Sequence, residues 1–348
     1  MTSRYASILA LALLTSFAAD RASAYCRMTT RSAPQVGNTE CSTEGAPLFW
    51  RSPCLSYAID GRGSQWMANE DIEEAVDLAF ETWENVNCGG SPPNLIFHAL
   101  EPSTCARPEF NDTGNVNTIA FLEPWRNPCA EADEPDYDPF ALAVTTVWRD
   151  GDTGEIFDAD MMINEQMTTS LNAGGPYDNC PNTGCPPGSP GVPGPTDLQS
   201  IVTHEIGHFV GIGHSDVEGA TMYWKTEQTS VSNRVLAQDD IDAVCDIYPP
   251  GGLNQSCDST PFYGLRLDCE TDDAGGPLAC SGPASVPGGG GGCSATRTQT
   301  DAPWMAMSLA LLGIAALRRR VRISSAGRGA VRQRRKNKRP LRALPHAT

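Results

Sequence analysis

Eleven consecutive residues, 204–214, hold three of the five histidines of this 348-residue chain. Their order is HEIGHFVGIGH, which places His204 and His208 four residues apart. Residues at that spacing lie on one face of an α-helix, so the two imidazoles can bind the same ion. Gly211 can adopt a positive φ without steric cost, which lets the chain leave the helix and bring His214 to that ion. The spacing therefore indicates a metal site around which this part of the chain must fold.

Glu205 follows the first histidine and is expected to lie beside the metal rather than on it. A carboxylate in that position can take a proton from a metal-activated water. Three protein ligands leave a fourth position open, which distinguishes a catalytic zinc from a structural one. The ligand helix is expected to run from about Asp197 to Gly211, with Thr196 as its N-cap and Gln199 completing a capping box. The alternative is a chance pair of histidines on an amphipathic helix.

The methionine that follows the histidines extends this pattern. H-E-x-x-H-x-x-G-x-x-H with a downstream methionine turn is the metzincin signature, and Ala220-Thr221-Met222-Tyr223 resembles that turn. Ser215 directly after the third histidine, together with Met-Tyr in the turn, is most similar to the matrixins. The resemblance implies a zinc endopeptidase in which His204, His208 and His214 bind the ion, Glu205 is the general base and Met222 forms an apolar floor. Trp224 stands where astacin-like and serralysin-like metzincins carry a tyrosine, so a tyrosine ligand is not expected.

Apolar periodicity predicts an α+β fold. Strands are expected at residues 55–60, 95–100, 117–122, 141–149 and 155–164, and helices at 70–86, 197–210 and 238–248. The matrixin resemblance implies a twisted five-stranded mixed sheet, helices above the cleft and a small C-terminal subdomain with one helix. It also implies that segment 158–164 is an edge strand to which an extended substrate adds.

The N-terminus predicts export. Residues 1–24 contain an apolar run and end in Ala22-Ser23-Ala24, which is typical of a secretory signal peptide. Twelve of the 13 cysteines remain when Cys293 is set aside, and they could form six disulfides in an oxidising compartment. Cys180 and Cys185 are the easiest pair to propose, because their loop is rich in glycine and proline. Zinc ligation by cysteines is the alternative, although no paired C-x-x-C spacing occurs.

Charge is distributed unevenly along the chain. Residues 25–293 carry 10 Lys and Arg against 40 Asp and Glu, a formal charge of −30. This balance argues against nucleic acid as a partner. An acidic surface keeps an exported protein soluble, and attraction of basic or neutral peptides is the alternative explanation.

The C-terminal part combines a Gly-rich spacer, Cys293, an apolar segment and an arginine cluster. The apolar segment, 303–317, has 15 residues, fewer than the roughly 20 that cross a bilayer comfortably. This order resembles a Myxo-CTERM sorting tail, which implies a transient anchor that is removed by a protease and a processed Cys293. A permanent single-pass anchor is the alternative. The expected location is extracellular or at the cell surface.

These features predict one linear organisation. It comprises a signal peptide (1–24), a short N-terminal segment (25–49), a matrixin-like catalytic domain (50–250), a Cys-containing appendage (251–280), a Gly-rich linker with the sorting motif (281–302), a hydrophobic anchor (303–317) and a basic tail (318–348).

The resemblance implies a monomer that acts on a protein or peptide substrate with one catalytic Zn²⁺, and that contacts the membrane through its tail. Calcium is conceivable at Asp150, Asp152, Asp158 and Asp160, but ordinary turn aspartates explain these residues and no calcium site is assigned. Two other functions are considered: a surface binding or adhesion protein with a non-catalytic zinc centre, and a zinc amidase acting on cell-wall material.

Overall fold

The computed structural model of the chain describes residues 25–32, 41–127, 137–138, 140–166, 177–185, 194–225, 229–251, 257–269 and 345–347. The expected signal peptide, linker, Cys293, hydrophobic anchor and all of the basic tail except 345–347 lie outside these residues. Within the part that is described, no helix has the length and apolar character needed to cross a membrane.

The described residues contain three α-helices and eight strands. In chain order they are β1 (Cys54–Ile59), α1 (Asn69–Glu84), β2 (Ile96–Ala99), β3 (Thr118–Leu122), β4 (Ala143–Arg149), β5 (Ile156–Asn164), β6 (Tyr177–Asp178), β7 (Thr196–Asp197), α2 (Leu198–Phe209), α3 (Gln238–Ile247) and β8 (Pro345–Ala347). The five strands and three helices expected from periodicity are confirmed, each within two residues at either end.

The first five strands form one mixed sheet in the order β2-β1-β3-β5-β4. Strand β1 is parallel to β2 and β3, and β3 is parallel to β5. Strand β4 is antiparallel to β5 and is the last of the five. With three helices, this is the α+β architecture expected from the sequence. The short C-terminal strand β8 pairs antiparallel with the outer edge of β4.

The expectation that segment 158–164 is an edge strand is wrong. Strand β5 pairs with β3 on one side and with β4 on the other, so neither edge can receive a further strand. All nine of its residues are buried. Ala159 and Met161 belong to the main core and Met162 to a second apolar cluster, as alternation predicts for a strand buried on both faces. The outer edge of the five strands on this side therefore belongs to β4.

Helix α1 packs along α2 and covers the main core. Its apolar stripe is buried as the sequence predicts, through Ile72, Ala75, Val76, Ala79, Phe80 and Trp83. The indole nitrogen of Trp83 donates to the carbonyl of Thr203 at 2.7 Å, so the ring fixes α2 beside α1 while burying its own polar atom. Removing such a ring costs about 3–5 kcal/mol in a packed core. Helix α2, which carries the histidine motif, is therefore held rigidly.

Five disulfides join the described cysteines. They are Cys26–Cys41, Cys54–Cys257, Cys88–Cys245, Cys105–Cys269 and Cys180–Cys185. The expected Cys180–Cys185 pair is confirmed. Two disulfides tie segment 257–269 to β1 and to the loop after β2, and the other two of the twelve cysteines, Cys129 and Cys280, lie outside the described residues. Because every described cysteine is oxidised, none of them offers a thiolate to a metal.

Candidate metal centre

The N-terminus of α2 is capped by Asp197 and not, as expected from the sequence, by Thr196. The Asp197 carboxylate accepts a hydrogen bond from the Ser200 amide at 2.9 Å. Thr196 and Asp197 both pair with β6, and the helix begins only at Leu198, so Asp197 and not Thr196 occupies the N-cap position. Asp197 is also bound by Arg234, so a buried ion pair fixes the start of the ligand helix.

The C-terminus of α2 turns sharply at Gly211. This glycine has φ 92°, as its place in the motif predicts. The Ile212 amide donates to the Gly207 carbonyl at 2.8 Å and the Gly211 amide to the His208 carbonyl at 3.0 Å, which together form a Schellman motif. A Cβ at position 211 would lie 2.8 Å from the Leu48 carbonyl oxygen, so a larger residue does not fit. The chain reverses here and returns toward the helix.

This reversal brings the three imidazoles together. One ligand atom each from His204, His208 and His214 lies within 4.8 Å of the others, and all three side chains are buried. The Nε2 atoms of His204 and His208 are 3.2 Å apart. Two nitrogens bound to one tetrahedral zinc at about 2.1 Å are roughly 3.4 Å apart. The donor set and its spacing therefore fit a zinc ion.

Backbone carbonyls orient two of the three rings. The Nδ1 atom of His204 donates to the Thr221 carbonyl at 2.6 Å, and that of His208 donates to the Ile212 carbonyl at 2.9 Å. Each bond fixes the tautomer that leaves Nε2 for a metal. Burial, reinforced by His214, holds the pKa of His204 well below its usual value. The ring is therefore neutral, as a metal ligand must be.

The methionine turn packs against the ligand helix. Met222 is buried against Gly207 of α2, where an added Cβ would lie 2.1 Å from its sulfur. Asp240, in the first turn of α3, accepts hydrogen bonds from the Thr221 and Met222 amides at 2.8 and 3.0 Å. Asp240 therefore fixes the turn that carries the Thr221 carbonyl, and through it the ring of His204.

Glu205 is fully buried beside the histidines. The Thr145 hydroxyl, on β4, donates to Glu205 Oε2 at 2.6 Å. Sequence reasoning did not identify Thr145, nor the contribution of Asp240. One feature of the sequence could have indicated Thr145. Ala143, Thr145 and Val147 alternate along one face of the strand, and Thr145 carries a hydroxyl between two residues of the main core.

The aspartates considered for calcium are separated by the structure. Asp150 closes the β4–β5 turn, where Oδ1 accepts from the amides of Asp152 and Thr153. Asp158 and Asp160 are instead buried on β5. Asp160 accepts from the Thr118 and Glu109 amides at 2.7 and 2.9 Å. Asp150 is thus a turn aspartate, and the four residues do not form one cluster.

The fold and the site together define a metzincin: a mixed sheet, a helix with two of the histidines, a glycine turn that returns the third histidine, and a methionine turn packed against that helix. The family model for Matrixin matches residues 49–249, more than half of the chain. The chain belongs to the matrixin family, whose members are zinc enzymes.

Short segments of plant enzymes are also similar to this chain. Metalloendoproteinase 1-MMP of Arabidopsis thaliana is 41% identical over 69 residues, which cover 18% of this chain and 19% of that protein. Metalloendoproteinase 1 of Glycine max is 45% identical over 62 residues, covering 17% and 18%. The similarity therefore spans less than a fifth of the length of these relatives.

Proposed function

We propose that the protein is a zinc-dependent endopeptidase that hydrolyses peptide bonds, with Glu205 as the general base. The observation that carries this proposal is a cluster of three convergent imidazoles, with the buried carboxylate of Glu205 on the residue that follows the first of them. A glutamate adds nothing to a purely structural zinc site, whereas hydrolysis requires a base at that point. Membership of the matrixin family supports the same activity.

Hydrolysis would use the histidines to bind the metal and Glu205 to move a proton. His204, His208 and His214 would hold one Zn²⁺, which supplies the Lewis acidity that activates water and polarises a carbonyl. Glu205 accepts the proton of the attacking water as its oxygen bonds to the peptide carbon. Glu205 then gives that proton to the leaving nitrogen as the C–N bond breaks. The carbonyls of Thr221 and Ile212 keep two of the rings oriented throughout.

An extended peptide would bind along the outer edge of β4. This edge carries Thr145, which contacts Glu205, so a strand added here runs beside the site. Backbone hydrogen bonds to β4 would supply affinity with little side-chain selectivity. In the structure β8 pairs with Val144, Thr145 and Thr146 at this same edge. Peptide binding would therefore require β8 to leave, as it would when the tail from Cys293 onward inserts in the membrane or is removed.

The sequence outside the described residues suggests where the enzyme works. Residues 1–24 would direct export, and the tail from Cys293 onward would attach the protein to the cell surface until it is processed. The five disulfides support an oxidising compartment. We propose a monomer with one zinc ion and assign no calcium.

The test is replacement of Glu205 by glutamine, which keeps the shape of the side chain and removes its basicity. Glu205→Gln should retain one zinc per chain, measured by elemental analysis, and lose about 10²- to 10⁴-fold in kcat on a peptide library and on casein. Glu218→Gln, an exposed control, should match the wild type.

Three other results of these assays would contradict the proposed function. Unchanged cleavage by Glu205→Gln would refute the assigned role. Wild-type protein that binds zinc without cleaving any peptide would favour a binding protein, and release of material from peptidoglycan alone would favour an amidase.

A further inference from the structure

Thr145 is a polar residue between two apolar core residues of strand β4. Ala143 and Val147 point into the main apolar core, and Thr145 lies between them on the same face with 0% of its surface exposed. A hydroxyl buried there loses its water and must find a partner inside the protein. A valine would have nearly the same shape and would avoid that cost. The choice of threonine therefore needs a reason in this environment.

The partner of this hydroxyl is Glu205. Thr145 Oγ1 donates to Glu205 Oε2 at 2.6 Å and lies 3.4 Å from the Glu205 carbonyl oxygen. The short contact joins two fully buried side chains from different elements, β4 and α2. Hydrogen bonds from a hydroxyl to a carboxylate are short and about twice as strong as those between neutral groups. This bond thus fixes the Glu205 carboxylate relative to the sheet.

We infer that Thr145 is a positioning residue that holds the carboxylate of Glu205 in its productive orientation. The inference rests on the proposed function, because it gives Thr145 a role only if Glu205 moves a proton. A glutamate has three side-chain torsions, and a proton transfer tolerates little misplacement. Anchoring one carboxylate oxygen to a rigid strand restricts those torsions before substrate arrives.

The location of Thr145 couples this role to the substrate edge. The backbone of Thr145 lies on the strand edge to which β8 pairs, while its side chain points to Glu205. One residue therefore fixes the distance between an added peptide strand and the base. A shift of the strand would move both together, which preserves their geometry.

The test compares three variants with the wild type. Thr145→Val removes the hydroxyl and keeps the shape, and Thr145→Ser keeps the hydroxyl. Thr118→Val is a matched control, because Thr118 is a buried threonine on β3 whose hydroxyl contacts Ser103 and not Glu205. Zinc content and thermal midpoint are measured first, then kcat and KM on a peptide that the wild type cleaves. Crystal structures of Thr145→Val and Thr145→Ser report the orientation of Glu205 independently of activity.

Thr145→Val should lower kcat about 10- to 100-fold with KM changed less than about threefold, since Thr145 acts on the base and not on substrate affinity. Thr145→Ser should recover most of kcat, and the control Thr118→Val should keep the kcat and KM of the wild type. In the crystal structures, the Glu205 carboxylate should have its wild-type orientation in Thr145→Ser and a different orientation in Thr145→Val.

A kcat for Thr145→Val equal to the wild-type value would overturn the positioning role. So would a loss of kcat that Thr145→Ser does not recover, because a structural role depends on packing and not on the hydroxyl. Failure of the wild type itself to cleave peptides would instead refute the proposed function, so the two failures are distinguishable.

Discussion

Gly207 of the ligand helix lies directly against the side chain of Met222. A Cβ at position 207 would be 2.1 Å from the methionine sulfur and 3.1 Å from the ring of Trp83. Because Gly207 has no side chain, the Met222 side chain can pack directly on the backbone of the helix. This contact sets the distance between α2, which carries His204 and His208, and the turn whose Thr221 carbonyl orients His204.

We expect Gly207→Ala to lower the free energy of unfolding by about 2 kcal/mol. Overpacking costs up to about 3 kcal/mol, and the better helix propensity of alanine returns up to about 1 kcal/mol. Zinc affinity should fall as well, because the turn must move away from His204. Urea denaturation and competition with a chelator measure the two effects. In a Met222→Ala background the same change should be neutral or stabilising, and equal losses in both backgrounds would show that the contact is not responsible.

The ion pair between Arg234 and Asp197 is expected to be essential for the start of α2. Both side chains are largely buried, with 11% and 0% exposure. Arg234→Met would leave the Asp197 charge buried without its partner, which costs about 3–5 kcal/mol. Arg51→Met is the matched control, since Arg51 is 72% exposed in its pair with Glu155 and should lose less than about 1 kcal/mol. Equal losses in the two variants, measured by urea denaturation, would contradict this expectation.

Asp158 should make the free energy of unfolding depend on pH. Burial, followed by the charges of Asp160 and Glu109, raises the pKa of Asp158 well above its usual value. The folded chain then binds this proton more tightly than the unfolded chain, whose pKa is about 3.9. The free energy of unfolding should therefore decrease as pH rises from about 4 through the native pKa.

Asp158→Asn removes this contribution while keeping the side-chain shape. Urea denaturation of the zinc-loaded wild type and variant between about pH 5 and pH 8 should give a flatter profile for the variant. Parallel profiles would show that Asp158 titrates alike in the folded and unfolded chains.

Removal of β8 should make the enzyme bind peptides more tightly. Residues 345–347 pair with β4 at the edge proposed for substrate, so they compete with it intramolecularly. Deleting residues 345–348 should lower KM about three- to tenfold and leave kcat unchanged, because a short strand contributes only a few net hydrogen bonds. Deletion of the uncharged residues 324–327 is the control. An unchanged KM would mean that peptides bind elsewhere.

Local periodicity predicted most of the secondary structure. The stripe of α1 from Ile72 to Trp83 is buried as expected, because a helix buries what its own repeat places on one face. The wrong predictions concern features that depend on contacts with other parts of the chain. Strand β5 has the composition of a strand in either a central or an edge position, and only its pairing with β3 and β4 distinguishes them.

The capping error has a similar origin. Thr196 and Asp197 are both good N-caps, and Asp197 is the one whose carboxylate receives the Ser200 amide and pairs with the distant Arg234. The sequence of the helix itself does not indicate that contact.

The amino-acid sequence alone determined which side chains could bind a metal. The four-residue spacing of His204 and His208 fixes their common face through helix geometry, and Gly211 supplies the turn, so these relations are local. Tertiary structure decided which groups surround them: the Thr145 hydroxyl, the Thr221 carbonyl and the β4 edge. Thr145 is 60 residues from Glu205 in the chain. Such partners depend on the order in which strands assemble, and that order follows from packing of the whole core rather than from any local repeat.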